Sequence, residues 1–184
     1  MANSSFEYFP GIPIHKSKDL VNWTLIGHGL QREAQCTGAV NLVDVQSNGG
    51  IYAPTLRYHD GTFYVITTAI YFDAKTKKHS GNNFIITATN PAGPWSDPVV
   101  VQGAPGIDPD LFFDEDGRLW YTGQQKPKDP EFIDQKEIWM QELNRETFQL
   151  TGARYHLWRG ACDGVWTEGC LLYTSDAADE RSCG

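Results

Sequence analysis

Positive charge is scarce in this sequence. Fifteen Lys and Arg stand against 23 Asp and Glu in 184 residues, a formal net charge of -8 with a pI near 5.0. A surface that grips phosphates or anionic head groups needs clustered Lys and Arg to neutralise them, so nucleic acid and anionic membrane are not expected partners. The densest basic stretch, Lys75 to Lys78, is broken by Thr76 and reads as a solvated loop. Long apolar runs are missing too. No window holds the ~18 apolar residues of a membrane span, and Met1 is not followed by the basic and then apolar pattern of a secretory signal, which leaves the compartment open. The four cysteines, Cys36, Cys162, Cys170 and Cys183, lack the paired spacing of zinc ligands, and no disulfide framework can be read from them. No Gly-rich phosphate cradle is present, and the five histidines are dispersed without a Ser or Cys nucleophile motif. Helical periodicity is nearly absent as well. Its one candidate, "DQKEIWMQELNRETF", has Ile138, Trp139 and Met140 in a row and is expected to be a strand.

What the sequence has is aromatic residues, 12% of the chain, with six Trp and eight Tyr. Flat apolar faces with a polar edge suit sugar rings, although β-rich cores also use them. Short runs of Tyr, Phe, Ile, Val and Thr are bounded by Gly, Pro, Asn and Asp, the pattern of an all-β chain with tight turns. "TLRYHDGTFYVITT" holds two such runs around Asp60-Gly61, and "DLFFDEDGRLWYTG" two around Asp116-Gly117. Asp-Gly favours hairpins, whose turns demand positive φ. "DEDG" itself lacks the ligand spacing of a calcium loop and reads as a hairpin turn.

The two hairpins lie 56 positions apart, from Gly61 to Gly117. A second marker keeps phase with them: "SKDLVNWTLIG", "TNPAGPWSDPVVV" and "LNRETFQLTG" each leave a strand, turn through polar residues and resume. Trp95 follows Gly61 by 34 residues, and Leu150 follows Gly117 by 33. A four-stranded unit recurring at this period predicts a β-propeller, with one blade per unit. Trp23 matches Trp95, so the hairpin of its blade is expected upstream of Met1.

In a propeller the innermost strands surround a channel, and residues at their starts converge there. The matching slots hold Ala53-Pro54, Asp108-Pro109 and Glu168-Gly169. Two of the three carry a carboxylate. Glycosidic cleavage needs one acid to protonate the leaving oxygen and one carboxylate to activate water, and a further carboxylate near the acid raises its pKa. The plainer alternative is that Asp108 caps a turn and Glu168 is a solvated edge residue.

"NSSFEYFPGIPIHKSKDLVNWTLIGHGL", "GGIYAPTLRYHDGTFYVITT", "NPAGPWSDPVVV", "GIDPDLFFDEDGRLWYTG" and "GVWTEG", in this order from Asn3 to Gly169, resemble glycoside hydrolase family 43. Its members are five-bladed propeller enzymes that include β-xylosidases and α-L-arabinofuranosidases. The resemblance implies an exo-acting, inverting glycosidase on xylose- or arabinose-bearing oligosaccharides of the plant cell wall. It places Glu168 as general acid and Asp108 as the residue that tunes and orients it. Asp110 is expected to occupy a different strand face. Phe6 resembles the aromatic that lines the pocket, and Tyr52 stands where many relatives place a stacking Trp. No cofactor and no metal ligand is implied for these residues, and a structural calcium in the channel belongs to the intact relatives.

The sequence also departs from the family. The family's general base is an Asp in a "PDPS"-like motif upstream of "NSSFEYFPG", and this sequence has no such motif. About three of five blades are therefore expected within residues 1–169, and the polypeptide as written is expected to be inactive. Residues 170–184, "CLLYTSDAADERSCG", resemble a translated sequencing adapter and are expected to be non-native. Two other functions fit less well: a non-catalytic sugar-binding propeller, and a retaining five-bladed enzyme that cleaves sucrose or fructans.

Overall fold

The computed structural model describes residues 1–43, 45–73, 78–160, 164–168 and 171. The expected adapter-derived segment, 170–184, lies outside them except for Leu171. Three antiparallel sheets follow one another along the chain. The first pairs β1 (Gly11–Lys16) with β2 (Thr24–Leu30). The second contains β3 (Gly50–Ile51), β4 (Thr55–His59), β5 (Thr62–Asp73), β6 (Lys78–Ala88) and β7 (Val99–Val100); β3 and β4 share one edge of β5. The third is a plain meander of β8 (Asp110–Phe113), β9 (Leu119–Gln125), β10 (Glu137–Leu143) and β11 (Leu150–Trp158). These are the successive blades predicted from the repeat, with β1 and β2 in the place of a blade's third and fourth strands. The segment around Ile138 is the strand β10, as expected.

Local chemistry sets the hairpins. Between His59 and Thr62 the turn is Asp60-Gly61, with φ of 46° and 77°. Two successive positive φ values are what a right-twisted two-residue hairpin requires. The second hairpin is longer: Phe113 pairs with Leu119, and Asp114 N–H donates to Arg118 O at 2.9 Å across the loop. Here the acids of "DEDG" serve the backbone, because Asp114 and Asp116 carboxylates accept from the amides of Glu115 and Arg118. The second marker is also in place, with Trp23 and Trp95 in the turn before a blade's fourth strand and Leu150 opening the fourth strand of the third sheet. Trp95 is buried in the core, whereas Trp23 lies on the outer blade and is half-exposed.

The second sheet separates two cores, which explains why "YVITTAIYF" and "FIITA" are nearly unbroken apolar runs. Side chains alternate across a strand. Val65, Ala69, Phe84, Ile86 and Ala88 pack against Ile12, Ile14 and Leu30 of the first sheet. Their neighbours Ile66 and Ile85 pack against Leu111, Leu119, Tyr121 and Trp139 of the third. Both faces are buried, so no polar face is left to show alternation.

The inner strands of the second and third sheets are joined by a charge pair. Arg57 on β4 donates from Nε to Asp110 Oδ1 at 2.9 Å and from its terminal nitrogen to Oδ2 at 2.6 Å, and Asp110 is fully buried at the start of β8. Two parallel bonds fix the angle between the strands as well as their distance. Beside the pair, His59 stacks on Phe113 at 4.2 Å. We predict that Arg57→Ala lowers stability in urea denaturation by about 2 to 3 kcal/mol. That is less than the ~3–5 kcal/mol of a fully buried pair, because the guanidinium side chain keeps some water.

Candidate functional site

Each inner strand carries one residue more than its partner, at the slot singled out in the sequence. In the second sheet Ile51 faces Ala69 and Thr55 faces Ile66, so the surplus falls at Tyr52 to Pro54. In the third sheet Gln124 N–H donates to Ile107 O at 3.4 Å while Asp110 faces Thr122, so the surplus falls at Asp108-Pro109. Proline suits such a break because it has no N–H to give to the ladder. A bulge of this kind re-aims a side chain, and in the third sheet the re-aimed residue is Asp108. Its φ of 53° is left-handed, a conformation that Asp tolerates better than most residues but that still carries strain. Pro109 beyond it is buried.

Neighbouring groups hold this bulge in place. Buried Asn83 on β6 donates to Ala104 O at 3.0 Å and to Gly106 O at 3.2 Å, and accepts from Thr68 Oγ1 at 2.6 Å. A Cβ on Gly106 would stand 1.4 Å from Gln124 O, so only hydrogen fits at this approach. Neither Asn83 nor Gly106 was singled out in the sequence. The available signal was a pair of amides in the apolar run "GNNFIITA", a local conflict that a strand face does not explain.

Glu168 is brought to Asp108 across the end of β9. Its Oε1 accepts from Gln124 Nε2 at 3.3 Å. The residue as a whole is exposed, yet its proton affinity is raised above the ordinary value, first by partial loss of water and then by the negative charge of Asp108. The Gln124 bond and the nearby Lys136 ammonium pull in the opposite direction. Asp108 and Glu168, the two acids singled out in the sequence, thus lie near enough for the charge of one to act on the other. Asp110, two residues along, faces away into its pair with Arg57.

The two aromatics also meet. Phe6 pairs with Ile51 through both backbone groups, at 2.9 and 3.0 Å, which seats the first residues of the chain across the inner edge of the second sheet. Gly50 permits this approach, since its Cβ would lie 2.1 Å from Phe6 O. The Phe6 ring stands edge-on to Tyr52, with centroids 5.9 Å apart, and remains 42% exposed. From this corner a ladder of bonds runs through Tyr52 N–H to Thr68 O, Thr68 to Asn83, and Asn83 to the Asp108 bulge. Among the described residues no group of three or more His, Cys, Asp or Glu is arranged to hold a metal ion.

Residues 1–177 match the sequence pattern of glycosyl hydrolases family 43. The chain belongs to glycosyl hydrolases family 43. It is 44% identical to a xylosidase/arabinosidase of Butyrivibrio fibrisolvens over 177 residues, 94% of this chain and 32% of that protein. It is 52% identical to a non-reducing end α-L-arabinofuranosidase of Bacteroides ovatus over 122 residues, 66% of this chain and 21% of that protein. The crystal structure of a xylan β-1,4-xylosidase from Bacillus halodurans superposes with a TM-score of 0.78 at 36% identity, covering 95% of this chain and 32% of that one. The chain thus spans about a third of the length of the curated family 43 relatives it matches.

Two measurements check the site. Replacing Gly106 by Ala should cost about 3 kcal/mol or more in urea denaturation, as clash and left-handed strain add. Gly117→Ala, where a Cβ would meet nothing, should cost only about 1 to 2 kcal/mol. Removing the Asp108 charge by Asp108→Asn should lower the titration midpoint of the Glu168 carboxyl, read by NMR. An unmoved midpoint would mean the two acids are not coupled.

Proposed function

We propose that the protein carrying this chain is an exo-acting glycosidase that hydrolyses O-glycosyl bonds at the non-reducing end of xylose- or arabinose-bearing oligosaccharides, with inversion at the anomeric carbon. The observation that carries this reading is the coupling of Glu168 to Asp108. An acid that must give its proton to a leaving oxygen near neutral pH has to hold that proton more tightly than a free carboxyl does. Partial burial and the Asp108 charge both act in that direction on Glu168, and its exposure leaves the proton within reach of a bound sugar.

Roles then follow from position. Glu168 donates the proton to the departing oxygen, with Gln124 fixing the orientation of its carboxyl. The charge of Asp108 raises the proton affinity of Glu168. Phe6 and Tyr52 form an apolar corner against which the C–H face of a pentose packs. Activation of water falls to a carboxylate that we do not assign to this chain. The names of the Butyrivibrio and Bacteroides relatives support both a xylose and an arabinose substrate. No cofactor is proposed.

In the whole protein, Glu168→Gln should lower kcat by about 10²- to 10⁴-fold on a disaccharide substrate. The loss should be much smaller on an aryl glycoside whose leaving group needs little protonation. Equal, small losses on both substrates would remove Glu168 from the acid's role. The first-formed sugar, followed by NMR, should show inverted configuration; retention would exclude the inverting mechanism.

A further inference from the structure

The anchor behind Glu168 is a buried carboxylate in the third sheet. Glu137 opens β10 and is fully buried. Its Oε1 accepts from Gln125 Nε2 at the end of β9 at 2.6 Å and lies 2.9 Å from Nδ1 of His156 on β11. Arg159, just past β11, brings its Nε to 3.4 Å from Oε2 and pairs outward with Asp129 at 2.9 Å. One side chain thus ties together the ends of three strands. Glu137 and Gln125 are also direct cross-strand partners.

Successive side chains of a strand point to opposite faces. Gln124, within β9, therefore points away from the clamp, and both it and Lys136, the residue before β10, meet the segment 164–168. Gln124 holds the Glu168 carboxyl. Lys136 Nζ sits 4.9 Å from the centre of the Trp166 ring, two residues before Glu168. A cation over an indole face is the strongest pairing of its kind. Lys136 is half-buried, and the clamp next to it fixes its backbone. Trp166 has a φ of 61°, and Thr167 packs so closely on Gly160 that a Cβ there would lie 2.8 Å from its Oγ1. The turn that presents Glu168 is thus held from two sides.

We propose that Lys136 is a positioning residue for Glu168: seated on Trp166, its ammonium docks segment 164–168 onto the third sheet and faces the Glu168 carboxyl. The proposal rests on the reading of Glu168 as the acid. The charged groups acting on that carboxyl are Asp108, from the bulge before β8, and Lys136, the residue before β10. They have opposite signs. Lys136 therefore limits how far Asp108 raises the acid's proton affinity, while also setting where the proton is delivered.

The test compares Lys136→Met, which keeps the stem without the charge, with Lys136→Arg, which keeps the cation. Carboxyl and indole resonances of Glu168 and Trp166 are followed by NMR in the chain described. In Lys136→Met the Glu168 midpoint should rise, because the cation favouring its charged form is gone, and the Trp166 indole signal should shift. Lys136→Arg should restore both. In the whole protein, Lys136→Met should lower kcat by about 2- to 5-fold with KM nearly unchanged, and should move the alkaline limb of the rate profile to higher pH. If either the midpoint or the indole signal stays in place, the proposal is overturned. Should Lys136→Met fail to fold, the unaltered chain must still show nuclear Overhauser contacts between Lys136 Hε and the Trp166 ring, and their absence overturns it equally. Failure of the glycosidase reading would appear instead in Glu168→Gln kinetics, with these resonances unaffected.

Discussion

A strand with one residue more than its partner cannot keep all of its side chains in register, and in two consecutive sheets of this chain the surplus falls at the same place. The break at Tyr52 to Pro54 and the break at Asp108-Pro109 stand at the inner edges of their sheets, next to partner strands that continue unbroken. Most of the site depends on this offset. It turns Asp108 out of the ladder and puts Asp110 inside it, so that two acids two residues apart have different partners and different work. The Arg57 fork on Asp110 then sets the relation between the second and third sheets.

The electrostatics of the site are a balance within an acidic chain. Glu168 experiences one negative neighbour, one positive neighbour, an amide donor and partial loss of water. Their sum raises its proton affinity, and the charged and amide neighbours come from separately anchored elements: the bulge before β8, the end of β9 and the residue before β10. Such a carboxyl can be tuned by changes at several positions without altering the acid itself.

Much of the fold was legible in the sequence because it is local. Asp60-Gly61 announced a tight hairpin, the polar turns before β2, β7 and β11 announced fourth strands, and the spacing between these signals announced blades. The slot of Asp108 before β8 was legible for the same reason, since position within a repeat is a property of the sequence alone. What was not legible is everything that depends on a neighbour far along the chain. Asn83 looks like a misplaced amide until β6 is seen to lie under the loop at Ala104 to Gly106. Gln124 and Lys136 look like surface residues until segment 164–168 is laid over them. Glycine at 106 has no visible reason until Gln124 O is found where a Cβ would go.

The second sheet, apolar on both faces, bears on how the chain is made. A meander forms from contacts between neighbours in sequence, which favours rapid local folding. At ~5–20 residues per second on the ribosome, β4 to β7 emerge and pair before β8 to β11 exist. For several seconds Ile66 and Ile85 face water, or whatever shields a nascent polypeptide, until Leu111, Tyr121 and Trp139 arrive to cover them. Synthesis therefore proceeds as a relay in which each finished layer displays an adhesive surface for its successor, and the tempo of translation becomes part of the folding problem.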